Sequence, residues 1–193
     1  SKGESTNALY GFIRCLFKLI KDFTPTHLVC VFDGPRNAQK RIELYADYKA
    51  NRRQMPADLR PQIERAREFC QLMGIAFLNI AEVEADDTMA SIAKWAYQNG
   101  DTTYLCTGDK DMGQVVNERI FLLNTFKDNF ILGIKEVEKQ FGVTPDKMVD
   151  FLAMTGDTSD NIPGLPGFGP KTAADLLNKF GSLDSILECI EEI

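Results

Sequence analysis

The sequence predicts an α/β chain, with a parallel central sheet covered by helices on both faces and a smaller helical module after it. Three observations carry this expectation. From Asn7 to Thr107, short apolar runs alternate with longer runs of helical period, and strand–helix alternation is what a sheet covered on both faces requires. Carboxylates recur just after those apolar runs, at the strand ends where open α/β sheets build ligand sites. A Gly- and Pro-rich stretch at 161–173 then leads into a separate helical run.

Taken in order, Leu9, Phe12, Ile13, Leu16, Phe17 and Ile20 recur at helical spacing and predict a helix over residues 7–23. His27 to Asp33, HLVCVFD, reads as a short buried strand ending in a carboxylate. Residues 34–60 are polar, basic and weakly patterned, with a short helix around 37–48; a connection that long inside a domain is usually functional or disordered. A helix over 61–73 stops at Gly74, Ile75–Ile80 reads as a strand, Ala85–Gln98 as a helix, and Thr102–Thr107 as a strand running into Gly108 and Asp109. The expected division is an α/β core over residues 1–125, carrying the basic segment at about 34–60, and a helical part over 126–193.

The chain of 193 residues, 44% apolar and 26% charged, is long enough to bury a sizeable core. No apolar run approaches the ~20 residues of a membrane span, and no signal-peptide pattern is present at Ser1, so the expected setting is cytoplasmic, without a membrane partner. Cys15, Cys30, Cys70, Cys106 and Cys189 lack CxxC spacing and read as reduced core residues rather than zinc ligands. His27 is the only histidine, which argues against a histidine-based triad. Charge is unevenly spread. Arg36 to Arg67 holds nine Lys or Arg against four Asp or Glu, a local balance of +5 within a chain of net charge −6. A basic segment beside an acidic body suits a protein that holds phosphates with one part and cations with another, although a solvated helix face gives the same pattern.

Three acidic groups carry the chemistry. Glu84, Asp86 and Asp87 in VEADD crowd the start of a helix, where dipole decoration and metal binding are equally good readings. Asp109 and Asp111 in TGDKDM share a turn with D-x-D spacing, a weak signal alone. Asp157 and Asp160 in MTGDTSDN sit on a polar loop, where turn hydrogen bonding is slightly favoured over metal binding. With Asp33 these make eight carboxylates at three strand ends and one loop. An all-oxygen donor set suits magnesium or manganese rather than zinc. Two such ions support in-line displacement at phosphorus, which points to phosphodiester hydrolysis. Calcium storage fits less well, because no D-x-D-x-D-G loop with a distal glutamate is present.

Two stretches are suited to phosphates. In NIPGLPGFGPKTA, Gly167 and Gly169 permit a tight turn, Pro170 suits a first helical position, and Lys171 and Thr172 follow where free N–H groups can hold a phosphate. This is a helix-hairpin-helix pattern, which grips a duplex backbone without reading sequence. In YADYKANRR, Tyr45 and Tyr48 alternate with Lys49, Arg52 and Arg53; aromatics among cations suit a single strand, while the plain alternative is tyrosines packing the segment down.

From SKGESTNALYGF through VFDG, YKANRR, IAEVEADD, TGDKDM, MTGDTSDNIPG and GLPGFGPKTA, essentially the whole chain resembles the 5′ nuclease domain of bacterial DNA polymerase I, related to the flap endonucleases. The resemblance implies that Asp33, Glu84, Asp86 and Asp87 serve a first metal site and Asp109, Asp111, Asp157 and Asp160 a second. It implies that Lys49 and Arg52 steer the scissile phosphate at the base of a helical arch. Tyr48, Arg53, Gly167, Gly169, Lys171 and Thr172 would contact DNA, with a potassium ion at the hairpin. The implied partner is DNA with a 5′ flap, nick or free 5′ end, in primer removal and excision repair near the nucleoid. The chain would act as a monomer, with a polymerase following in the full-length protein. The family begins with a further strand bearing a metal-ligand aspartate, and this chain starts after it, so it reads as a fragment short of one ligand and one strand. The competing expectations are a non-catalytic flap- or junction-binding module and, less favoured, an RNA-cleaving nuclease.

Overall fold

The computed structural model describes residues 3–125 and 129–189. The boundary expected between residues 125 and 126 therefore abuts residues 126–128, which lie outside the described set. The chain forms two compact units. One comprises Ser1–Lys40 with Arg52–Ala85, and the other Arg41–Asn51 with Asp86–Ile193.

The first unit is built on α1 (Asn7–Phe23) and α3 (Leu59–Leu72), which pack together beside strands β1 (Val29–Val31) and β2 (Ala76–Leu78). Helix α1 buries Leu16 and Leu19 and ends where Thr24 turns left-handed at φ 42°, its N–H reaching Ile20 O at 3.0 Å. The start of α1 has no side-chain cap of its own. Instead buried Gln62 of α3 accepts from the N–H groups of Ala8 and Leu9 at 2.9 and 3.2 Å, satisfying donors that a helix start otherwise leaves unpaired. β1 and β2 run parallel, Val29 opposite Ala76 and Val31 opposite Leu78. Phe12, Phe32 and Phe77 link α1 to this pair, with ring centroids 6.1 and 6.3 Å apart. Just past β1 the backbone of Gly34 is pressed against Ile80, where a Cβ would lie 1.7 Å from the Ile80 carbonyl oxygen. Glycine is required there by contact rather than by backbone angle.

Helix α2 (Gln39–Leu44) crosses from the first unit into the second. The second unit holds α4 (Ala85–Gln98, all but its first residue), β3 (Thr103–Leu105), β4 (Ile120–Asn124), β5 (Phe130–Leu132), α5 (Ile134–Phe141), α6 (Met148–Thr155), α7 (Pro170–Phe180) and α8 (Leu183–Glu188). Its core includes Ala93 of α4, Leu105 of β3, Leu122 of β4, Val137 of α5, Met148 and Met154 of α6, and Leu177 of α7. One contiguous apolar cluster thus runs from the sheet into the C-terminal helices, and the site-bearing loops are mounted on it.

The α/β class and the parallel pairing of strands are as the sequence predicts. The strands form two sheets, β1–β2 and β3–β4–β5. The second is mixed, because β5 pairs antiparallel with β4 while β3 pairs with it in parallel. Asn129 at φ 57° supplies the left-handed residue that turns the chain back before β5. Strand β5 therefore precedes the first helix of the part expected to be wholly helical. The cysteines also depart from expectation. Only Cys70 is buried, Cys106 is exposed and the others are half-buried. His27 is exposed and pairs with the Thr26 hydroxyl at 3.2 Å.

Candidate metal and phosphate site

In the first unit Asp33 stands exposed immediately after β1, and its Oδ1 accepts from the N–H of Ala85, the first residue of α4, at 2.9 Å. Arg67 supports this turn: its Nη2 donates to the Asp33 carbonyl at 3.5 Å and its guanidinium carbon lies 5.3 Å from the Phe32 ring centre. Nothing in the local pattern singled Arg67 out. Glu84 is only 5% exposed, an unusual position for a carboxylate that merely decorates a helix start. Asp86 and Asp87 follow in the first turn of α4 and belong to the second unit.

In that unit Asp87 is held by Arg41 of α2 through two parallel bonds, Nη1 to Oδ2 at 2.8 Å and Nη2 to Oδ1 at 2.9 Å. Beyond β3, Asp109 caps the 3-10 turn Lys110–Val115 by accepting from the Asp111 N–H at 2.9 Å. Asp111 faces inward. Burial, followed by the negative charges of Asp109 and Asp157, pushes its carboxyl up to about 6, and its Oδ1 is buried without a hydrogen-bond partner. A buried oxygen left unpaired is costly, so it points to an ion or water that belongs there.

Asp157 is presented by the loop after α6. Its backbone bridges to Ile162 in both directions, at 2.9 and 2.8 Å. Gly156 makes this possible, since it sits at φ +69° and a Cβ there would lie 2.3 Å from the Gly164 nitrogen. The turn reading of Asp157 is realised on one oxygen: Oδ1 accepts from the N–H and hydroxyl of Ser159 at 2.7 and 2.6 Å. Oδ2 faces the Lys110 ammonium at 3.6 Å. Burial acts to raise this carboxyl, but the bonds from Ser159 and the Lys110 charge outweigh it and hold it below the usual range. Asp157 thus stays ionised to lower pH, and Asp111 is the first of the two to take a proton as pH falls toward about 6.

The basic segment meets this loop directly. The Lys49 N–H donates to Asp160 O at 2.9 Å, Asn51 Nδ2 to Thr158 O at 2.8 Å, and Asn161 Nδ2 to Asp47 O at 2.8 Å. Lys49 Nζ lies 3.8 Å from Asp160 Oδ2, and the Tyr48 hydroxyl donates to the same oxygen at 3.0 Å. The base-stacking role expected of Tyr48 is corrected. Its ring is only 6% exposed, with Lys49 Nζ at 4.8 Å and the Arg41 guanidinium carbon at 5.9 Å from its centre. It packs the segment down and orients cations. Asn51, Asn161, Lys110 and Arg41 are contributors the sequence reading passed over. Lys110 alone was signalled, by standing between Asp109 and Asp111.

The remaining expected residues are exposed. Arg52 and Arg53 lie in the first unit, whereas Lys171 and Thr172 lie in the first turn of α7. Gly167 is left-handed at φ +83°, and extended Gly169 precedes Pro170 at the helix start. The hairpin is looser than a short turn between helices, because the Asp157–Ile162 bridge, Pro163 and Pro166 intervene between α6 and α7.

Among the described residues no group of three or more acidic, histidine or cysteine side chains is placed to hold a metal ion. The donors nevertheless fit a hard divalent ion, which binds through one or two carboxylates, keeps its waters and shares phosphate oxygens. They offer only oxygens, and one of these, on Asp111, is buried and unpartnered.

Residues 1–142 match the family model of the 5′-3′ exonuclease N-terminal resolvase-like domain, and residues 143–193 that of the 5′-3′ exonuclease C-terminal SAM fold. The chain belongs to the 5′-3′ exonuclease family. Within this family it is 44% identical to a 5′-3′ exonuclease of Aquifex aeolicus, over 97% of this chain and 64% of the relative. It is 35% identical to DNA polymerase I of Bacillus subtilis, over 100% of this chain and 22% of the polymerase. The chain thus spans under two thirds of the first relative and about a fifth of the second. Its fold is similar to that of T5 5′-exonuclease with divalent zinc ions bound, at a TM-score of 0.76 and 21% identity, covering 93% of this chain and 70% of that one. It is similar also to the catalytic core of Rad2 in complex with DNA substrate, at a TM-score of 0.61 and 22% identity, covering 95% and 58%.

Proposed function

We propose that this chain is the nuclease part of a divalent-metal-dependent, structure-specific 5′ nuclease that hydrolyses DNA phosphodiesters at 5′ flaps, nicks or free 5′ ends. The observation that carries the reading is the inward-facing Asp111 carboxyl. It lies beside Asp109 and Asp157, with a buried unpaired oxygen and a protonation point raised to about 6, an arrangement that is unfavourable until a cation arrives. Family membership supports the same reaction, and relatives named 5′-3′ exonuclease and DNA polymerase I support a setting in replication and repair.

In this proposal Asp109, Asp111, Asp157 and Asp160 of the second unit hold a magnesium or manganese ion, and Asp33 and Glu84 in the first unit and Asp86 and Asp87 in the second are further candidate ligands. When bound, such ions activate a water and neutralise the leaving oxygen of an in-line displacement at phosphorus. The protein's own groups do the positioning. Ser159 fixes one Asp157 oxygen, leaving the other facing Lys110. Lys49, half-buried and anchored through its own N–H, presents its ammonium beside Asp160, where it can meet a phosphate oxygen with little loss of side-chain freedom. Arg52 and Arg53 supply further phosphate contacts. The first turn of α7, with Lys171 and Thr172, grips the duplex backbone, and a potassium ion at the preceding turn belongs to the same proposal. The chain acts as a monomer, joined to a polymerase where the relatives have one.

Cleavage of a 5′-labelled flap duplex with magnesium, with manganese and with chelator tests this. Metal-dependent release of short 5′ products is expected. Tight flap binding without cleavage at any metal concentration would instead favour a junction-binding module, and equal cleavage of an RNA flap would overturn the choice of DNA.

A further inference from the structure

Lys49 stands where the backbone disfavours lysine. Asp47 to Ala50 form a turn closed by the Ala50 N–H on the Asp47 carbonyl at 3.0 Å, and Lys49 occupies its third position at φ 57°. A positive φ there suits glycine or asparagine, because a larger side chain's Cβ is crowded by the backbone. Such outliers persist only where the surroundings hold them, and they gather at functional sites. Here the surroundings are a second turn of the same unit, Thr158 to Asn161, closed by the Asn161 N–H on the Thr158 carbonyl at 3.3 Å. The two turns are cross-linked. Asn51 Nδ2 donates to the Thr158 carbonyl and Asn161 Nδ2 to the Asp47 carbonyl, each at 2.8 Å, so each amide reaches the carbonyl that closes the opposite turn. Between them the Lys49 N–H donates to the Asp160 carbonyl at 2.9 Å.

We propose that Asn51 and Asn161 are positioning residues: their crossed amides clasp the basic segment to the loop after α6 and hold Lys49 in its left-handed backbone, which fixes where its ammonium meets a phosphate. This rests on the phosphate role given to Lys49 above. On a relaxed turn the same charge would sweep many positions, whereas on a clasped one Cα and Cβ are fixed and only the aliphatic stem moves. Both amides face carbonyls, which only accept, so each must present its nitrogen. Asn161 is itself left-handed at φ 60°, a conformation that asparagine tolerates.

Amide hydrogen exchange on the whole chain, read by NMR without metal or DNA, tests the clasp directly. Asn51→Ala should speed exchange of the Lys49 N–H about fivefold, the worth of one hydrogen bond. Asn161→Gly, which keeps the left-handed freedom of residue 161 and removes the amide, should do the same. Lys49 protection equal to wild type in both variants overturns the clasp. Single-turnover cleavage of a 5′-labelled flap then separates positioning from folding. At saturating DNA, Asn161→Gly should lower the rate about tenfold while flap affinity is kept. Added to Lys49→Ala, it should cost less than about twofold more, because the lysine through which it acts is gone. Full additivity with Lys49→Ala would mark Asn161 as merely structural and overturn the positioning role, leaving the nuclease reading intact. A wild-type chain that cleaves no flap with magnesium or manganese overturns the nuclease reading and the phosphate role of Lys49 with it, whereas the exchange result on the clasp itself stands.

Discussion

Replacing Asp111 with asparagine should stabilise the metal-free protein and abolish its response to metal. The folded-state carboxyl sits at about 6 against an ordinary 3.8, raised by burial, then by Asp109 and Asp157. Because the folded pKa is the higher one, folding favours the protonated form: the stabilising contribution is fully present below about pH 3.8 and disappears as pH rises through about 6. Above that, the ionised group works against the fold. Two pKa units correspond to a ceiling of about 3 kcal/mol, which solvent screening at a half-buried site cuts to about 1 kcal/mol. In chelator at pH 7.5, Asp111→Asn should therefore unfold about 2–4 °C above wild type. The gap should close by pH 4, where both side chains are neutral. Excess magnesium should reverse the order, since only wild type gains binding energy. Thermal unfolding followed by circular dichroism at the two pH values, with and without metal, is sufficient. A variant less stable than wild type in chelator at pH 7.5, or a gap indifferent to pH, would refute the idea that Asp111 is a charge awaiting a cation.

Other expectations follow from the same geometry. Divalent-cation affinity should fall roughly tenfold per pH unit below about 6, where Asp111 protonates, as measured by calorimetry across pH 5–8. Asp109→Ala and Asp157→Ala should each abolish cleavage with little loss of flap binding, and full activity in both would remove the metal assignment. Lys49→Ala should lower the single-turnover cleavage rate about a hundredfold at saturating DNA, a charge-stabilisation loss rather than an affinity loss; an unchanged rate would dismiss that role. Gly156→Ala should cost at least about 2 kcal/mol in urea unfolding, because φ is +69° and the new Cβ meets the Gly164 nitrogen at 2.3 Å. A neutral result would mean that the Asp157 loop is not held as described.

Much of this protein is legible along the chain because the responsible physics is local. Helical periodicity marks α1 and α4 at their observed bounds, since an amphipathic stripe depends only on spacing. The acidic motifs and the Gly–Pro start of α7 are equally visible, because residue type alone sets donor chemistry and the first helical turn. What lies between distant segments was not legible. Whether Tyr48 stacks on bases or seals the segment beneath Lys49 turned on Asp160, which is remote in sequence, and the structure decided for sealing. β5 went unrecognised because three residues carry too little pattern; only the turn at Asn129 and pairing with β4 make them a strand. The sequence by itself determined the donor set, the local helices and the charge imbalance. Only the tertiary structure decided which carboxylate is buried, which is ionised and which basic side chain each one holds, because desolvation and Coulomb energies depend on neighbours in space, which residue spacing does not encode.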